Sequence, residues 1–163
     1  MNQASMVGGS SRRAFLATAS SLSAAAFFAG CASGPVARRV AFPAYPFQLG
    51  VASGDPEPEG LVLWTRLAPI PTEGGGMPDQ AVEVEWQVAE DEAMGRVVRK
   101  GKTVARPEWA HSVHVEVDGL RPDRWYWYQF KAGGEVSPKG RTRTSVPENS
   151  LPGRFRFAFA SCQ

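Results

Sequence analysis

Apolar residues in this chain recur at every second position, in runs too short for anything but strands. Over residues 81–88, AVEVEWQV, Val82, Val84, Trp86 and Val88 alternate with Glu83, Glu85 and Gln87. Residues 112–118 repeat the pattern, with Val113, Val115 and Val117 set against His114, Glu116 and Asp118. Neighbouring side chains on a strand point to opposite faces, so each run has one apolar and one wet face. Strands of that kind belong to antiparallel sheets covered on one side. The same reading gives strands at 47–53, 60–67, 81–88, 96–104, 112–118, 124–131 and 138–144. Between them stand turn residues, in a chain with 17 Gly and 13 Pro. Seven short strands in this space predict an all-β fold, a fibronectin type III or immunoglobulin-like sandwich over 47–145. No stretch of it keeps helical spacing, although AEDEAMGR (89–96) has room for one helical turn.

Two stretches sharpen the sandwich. In GLRPDRWYWYQF (119–130), Leu120, Pro122 and Tyr126 stand as L-x-P-x-x-x-Y. That spacing resembles the loop into the sixth strand of fibronectin type III domains. A tyrosine there bonds its hydroxyl back to the upstream backbone, a tyrosine corner. Trp64, in LVLWTRLAP, reads as a core tryptophan of the second strand. Tyr126, Tyr128 and Phe130 share the face assigned to the core, which leaves Trp125 and Trp127 on the other. Two tryptophans facing water make an apolar patch, and such patches meet something. The readings are docking of a neighbouring domain, shielding by arginine stems, or stacking of a carbohydrate or peptide.

The first thirty residues read as an address rather than a fold. Ser11-Arg12-Arg13-Ala14-Phe15-Leu16 precedes a run of sixteen residues, Ala14 to Ala29, rich in Ala and Ser. The run is too short and too weakly apolar to span a membrane comfortably. Arg12 and Arg13 with Phe15 and Leu16 resemble a bacterial twin-arginine export signal. The expectation is a twin-arginine signal over 1–30 and a periplasmic or cell-surface destination. Phe28-Ala29-Gly30-Cys31 resembles a lipoprotein cleavage box, although such a box usually opens with Leu. Lipidated Cys31 would be the first mature residue and a membrane tether; ordinary cleavage after Ala32 is the competing reading. Residues 31–46 have no period and several prolines, and read as a linker.

Composition excludes some functions. The first thirty residues hold two of the 18 basic residues and no acid. What remains is 16 basic against 16 acidic residues, with no surplus to displace counterions from nucleic acid. Cys31 and Cys162 are too few and too terminal for a disulfide framework. His111 and His114, three apart on a strand, point to opposite faces and cannot grip one metal together. SGDPEPEG (53–60) is a turn, with Asp55 suited to holding its backbone; it lacks calcium-loop spacing. The glycines of PTEGGGMPDQ (71–80) neither follow a strand nor open a helix, as a phosphate loop must. The sandwich by itself offers no active site.

Set in order, FQLGVASGDPEPEGLVLWTRLAP, GLRPDRWYWYQF and FRFAFASCQ behind a twin-arginine signal resemble the alkaline phosphatase D family, the PhoD-like phosphatases. GVASGDP followed by VLWTR is the specific part of the match. The resemblance implies a fibronectin-like N-terminal domain followed by a larger α/β metallophosphatase domain. It further implies hydrolysis of phosphate monoesters and diesters outside the cytoplasm with iron and calcium. VPENSLPG (146–153) resembles the linker between the two domains. RFRFAFASCQ (154–163) resembles the first strand of the second, with Cys162 on the family's iron-ligand motif. The expectation is therefore an exported N-terminal portion with an orphan strand of a missing domain. Such a portion is inactive alone and binds no cofactor itself. Its partners are the metallophosphatase domain, the export machinery and, if Cys31 is acylated, a lipid anchor. The other reading is a complete exported sandwich that binds a partner through Trp125 and Trp127.

Overall fold

The computed structural model describes residues 40–154. All seven expected strands form: β1 (Val51–Gly54), β2 (Leu61–Arg66), β3 (Val82–Ala89), β4 (Val97–Ala105), β5 (Ser112–Val117), β6 (Trp125–Ala132) and β8 (Gly140–Arg143). A two-residue strand, β7 (Glu135–Val136), adds to them. The helical structure among the described residues is one 3-10 turn, Pro107–Trp109. β1, β2 and β5 make one antiparallel sheet, in the order β1-β2-β5. The second runs β4-β3-β6-β7, with β8 also pairing to β6. The described residues thus form an all-β, fibronectin type III-like sandwich.

The core lies between the sheets and follows the alternation. Leu61 and Leu63 of β2 and Val113 and Val117 of β5 meet Val82, Val84 and Val88 of β3 and Tyr126, Tyr128 and Phe130 of β6. Trp86 packs against this core but is only partly buried. Opposite it stands Gly101, where an added Cβ would come within 2.6 Å of the indole. The missing side chain is what lets this large ring lie across β4.

Four local readings change. β1 starts at Val51, not Phe47, because the Gly50 N–H turns back to the Phe47 carbonyl at 3.0 Å. Gly50 does this with a left-handed backbone (φ 72°), which costs glycine little. Trp64 is not a core residue. Leu61, Leu63 and Thr65 are the buried members of β2, so Trp64 faces outward, half-buried, between Ala52 and His114. In the stretch 89–96, Ala89 still belongs to β3 and 90–96 form a turn rather than a helical one. The Asp91 carboxylate accepts the N–H groups of Gly95 (3.0 Å) and Arg96 (2.6 Å). Those bonds favour the ionised acid and hold its pKa below the usual range. Finally, the 53–60 turn closes through Glu57 N–H to Gly60 O, at 2.9 Å. Asp55 contributes a left-handed backbone (φ 45°) and makes no side-chain hydrogen bond among the described residues.

The edge beside β6 is split at Ser137-Pro138. Pro138 has no N–H for a ladder. Phe130 N–H goes instead to the Ser137 hydroxyl (2.9 Å), and Ser137 N–H returns to Phe130 O (2.9 Å). Two strands therefore line β6 here, β7 before the break and β8 after it, where the sequence pattern predicts one strand over 138–144.

The segment read as a linker carries no strand or helix over its described part, 40–46, yet it packs on the sandwich. Val40 and Phe42 touch the core cluster, and the Pro46 carbonyl accepts the Ala68 N–H at 2.8 Å.

Tyr126 forms the expected corner. Its ring is buried, and its hydroxyl accepts the Arg121 N–H at 2.8 Å. Tyr126→Phe keeps the ring and removes that acceptor. We expect a loss of about 0.5–1.5 kcal/mol, rising toward about 3 kcal/mol if the Arg121 N–H stays dry. Urea unfolding of the chain measures it; an unmoved midpoint would mean the corner does not tie the turn.

Candidate functional site

Each end of the sandwich gathers loops. At one end the incoming segment 40–50 lies beside the 67–81 and 106–111 connections and the β6–β7 turn. Gln48 donates to the Pro69 carbonyl, and the Tyr45 hydroxyl donates to Val136 O at 2.8 Å. Phe42 lies so close to Gly133 that an added Cβ there would meet its ring at 2.6 Å. His111 is buried at this end, its Nε2 3.0 Å from Gln80 O. His114 faces out from β5, so the two histidines remain apart.

At the other end the chain leaves the sandwich, and its exit is pinned. After β8, Thr144 N–H bonds Arg124 O (3.1 Å) and its hydroxyl bonds Arg121 O (2.7 Å). Ser145 N–H donates to Glu57 O (3.0 Å), while Asp123 N–H donates to Ser145 O (2.8 Å). Leu120 N–H reaches Glu59 O at 2.9 Å. The 53–60 turn, the tyrosine corner and the last residue of the sandwich are thus stitched together through backbone groups. Beyond them residues 146–154 form no strand or helix, and Leu151 is 98% exposed.

Trp125 sits at this same end, in register with Arg143. It is 47% exposed, on the outer face, as the alternation requires. The guanidinium carbons of Arg141 and Arg143 lie 4.6 and 5.6 Å from its ring centroid. That is cation–π stacking, worth about 0.5–1 kcal/mol at an exposed site. Arginine shielding is therefore real for Trp125 but incomplete. Trp127 is half-buried, between Ala89 and Arg141. Sequence reasoning does not single out Arg141 and Arg143. Finding them requires the β6–β8 register, which the break at Ser137-Pro138 hides. Arg143 also pairs with Asp123, but both are half exposed and the pair adds little.

Farther along the same face is an open groove of about 640 Å³, bordered by Gln87, Lys100, Lys102 and Gln129. Lys102 is occupied there by Glu83 at 2.8 Å, which raises its pKa. Among the described residues, no three His, Cys, Asp or Glu side chains converge to hold a metal ion. Arg12, Arg13, Cys31 and Cys162 lie outside the described residues. No helix among the described residues is long and apolar enough to cross a membrane.

Known proteins are similar to this chain. A family model for the N-terminal domain of PhoD-like phosphatases matches residues 30–146. Alkaline phosphatase D of Bacillus subtilis is 58% identical over 123 residues, which are 75% of this chain and 21% of that protein. A solved structure of PhoD superposes with a TM-score of 0.67 at 57% identity, covering 69% of this chain and 22% of its own. A fibronectin type III domain from the human KIAA0970 protein is 14% identical over 70% of this chain, with a TM-score of 0.46. The chain spans about a fifth of the length of the curated relative it matches.

Proposed function

The chain belongs to the PhoD-like phosphatase family through its N-terminal domain, and on that premise we propose that it is the exported leading portion of an alkaline phosphatase D-like enzyme. The observation that carries the reading is 58% identity to alkaline phosphatase D over 123 residues. In this reading the catalyst is a metal-dependent phosphomonoesterase and phosphodiesterase whose chemistry resides in the domain beyond the sandwich. Iron and calcium belong to that domain, with Cys162 as the one ligand this sequence contributes. The sandwich is its non-catalytic companion, and Trp125 and Trp127 are contacts for it. Arg12 and Arg13 direct export by the twin-arginine route.

The physical support is the lack of chemistry in the sandwich. Phosphate ester hydrolysis needs an activated water and positive charge at the developing oxyanions. The described histidines sit apart and no metal-holding group forms among the described residues. Hydrolysis of bis(p-nitrophenyl) phosphate tests the proposal. Residues 1–163 alone should give background rates, and the protein continued through a metallophosphatase domain should give turnover. Activity in residues 1–163 alone would overturn the division of labour. An inactive extended protein would favour the other reading, a sandwich that binds a partner through the exposed Trp125 and its neighbour Trp127.

A further inference from the structure

Trp109 is 72% exposed, more than any other large apolar residue of the sandwich. It stands at the entry end, where Tyr45, Leu49 and Val136 are exposed too. Slack in the chain does not put it there. Its 3-10 turn, Pro107–Trp109, is closed by Ala110 N–H to Pro107 O and His111 N–H to Arg106 O, each at 2.8 Å. Ala110 (φ 49°) and His111 (φ 56°) are both left-handed, an uncommon backbone for residues that carry a Cβ. Three further bonds hold that strain. Arg66 Nε donates to Ala110 O (2.9 Å), Leu67 N–H donates to His111 O (3.1 Å), and the buried His111 ring lies 3.0 Å from Gln80 O. Strain fixed by its surroundings in this way gathers where a side chain is presented for use.

We infer that the entry end is a membrane-facing surface, on which Trp109, with Leu49 and Tyr45, enters the headgroup layer of a lipid bilayer. The inference does not rest on the enzymatic reading above. The side-chain chemistry fits a bilayer interface, where the amphipathic rings of Trp and Tyr settle at headgroup level. The charge at this end sets the mode of contact. Glu73, Asp79, Glu108 and Glu135 are exposed there beside the exposed Arg106 and the half-buried Arg66. With no basic surplus, attraction to anionic headgroups is not the driving force, and soluble polyanions are not favoured ligands. Insertion of aromatic and apolar side chains is what remains. Such a surface is weak by itself and works when the chain is held close to the bilayer. The chain enters the sandwich at this same end, with Phe42 against Gly133. Residues 32–39, fully extended, reach at most about 26–29 Å. An acylated Cys31 would therefore keep the entry end within that distance of the lipid. Trp125, at the opposite end, is left free for the companion domain.

The test places the exported full-length protein, with a histidine tag at position 31, on phosphatidylcholine vesicles that contain a nickel-chelating lipid. The tag supplies the tether, so the result does not depend on acylation of Cys31. The acyl chains are either plain or brominated, and quenching by the bromines reports tryptophan that has entered the bilayer. Wild type should be quenched, and Trp109→Phe should be quenched several-fold less. Leu49→Ser should also weaken quenching, while Val97→Ser, an exposed position at the exit end, should not. Adding phosphatidylglycerol or salt should change little. Both Trp109 and Leu49 are exposed, so the urea midpoint should hold and loss of fold is told apart from loss of contact. Absence of quenching on the tethered protein overturns the inference, as does equal quenching in Trp109→Phe. Quenching that needs phosphatidylglycerol and vanishes in salt would mean that a charged face docks instead, and overturns it. So does a shift of Trp109 emission with protein concentration in the absence of vesicles, which would reveal pairing of two copies.

Discussion

Replacement of Arg12 and Arg13 together by lysine should leave the precursor in the cytoplasm, at full length, with none of the processed form outside. The substitution keeps both positive charges. A general secretory signal, which needs a basic start and an apolar run, would not register it. A receptor that reads the arginine pair itself would, because a planar guanidinium donates in a fixed fork that an ammonium cannot copy. The expected effect is close to all or none, which makes export one of the two most sensitive readouts of this chain. Fractionation with size analysis measures it. Normal processing of the double-lysine variant would mean that the first thirty residues are an ordinary secretory signal. The same fractions report on Cys31. If Cys31 is acylated, the exported form sediments with membranes and Cys31→Ser releases it. If cleavage falls after Ala32, Cys31 is gone from the mature protein and its substitution leaves the exported form soluble.

How far the fold was legible depended on whether a feature needed only its own strand or also its neighbours. Alternation within 81–88, 112–118 and 124–131 fixed which residues of β3, β5 and β6 turn inward, and the core contains them. Tyr126 was legible because its partner, Arg121, lies five residues away. Trp64 was misplaced because its strand has apolar residues on both parities. Leu61 and Leu63 compete with Val62 and Trp64, and only pairing with β5 decides which set is buried. β7 is illegible in the sequence because two residues, Glu135 and Val136, carry no period. Gly50 looks like any glycine until its left-handed turn trims β1.

The candidate site was legible to the same degree. Alternation set Trp125 on the outer face, but its stacking with Arg141 and Arg143 belongs to a cross-strand register. The pinned exit could not be read at all from local pattern. It joins Ser145 to Glu57, residues far apart in sequence, through backbone groups that any side chains would offer. Such bonds are fixed by the fold and leave no residue signature.

Cys162→Ser in the full-length protein should lower both iron content and phosphodiester turnover, while residues 1–163 alone should keep no stoichiometric iron. Iron holds to a protein site because several ligands act together in a fixed geometry; one thiolate competes poorly with water and chelators. Among the described residues of the sandwich, no three His, Cys, Asp or Glu side chains converge to hold a metal ion. Cys162 itself lies outside those residues, and its assignment comes from the match of FRFAFASCQ to the family motif. Serine is nearly the same size but is a harder and far less acidic ligand, so the change alters the ligand more than the packing. That gives the experiment two independent readouts. If Cys162 is a ligand, iron content falls with turnover, and thermal unfolding of the metal-stripped protein shifts little. If Cys162 is instead a small buried residue at a strand end, iron content holds. The cost then appears in the unfolding midpoint, on the order of 1–3 kcal/mol for a hydroxyl left without a partner. Metal analysis of wild type and variant, each beside residues 1–163, decides between them. Stoichiometric iron on residues 1–163 alone would overturn the view that this sequence contributes a single ligand to a site completed elsewhere.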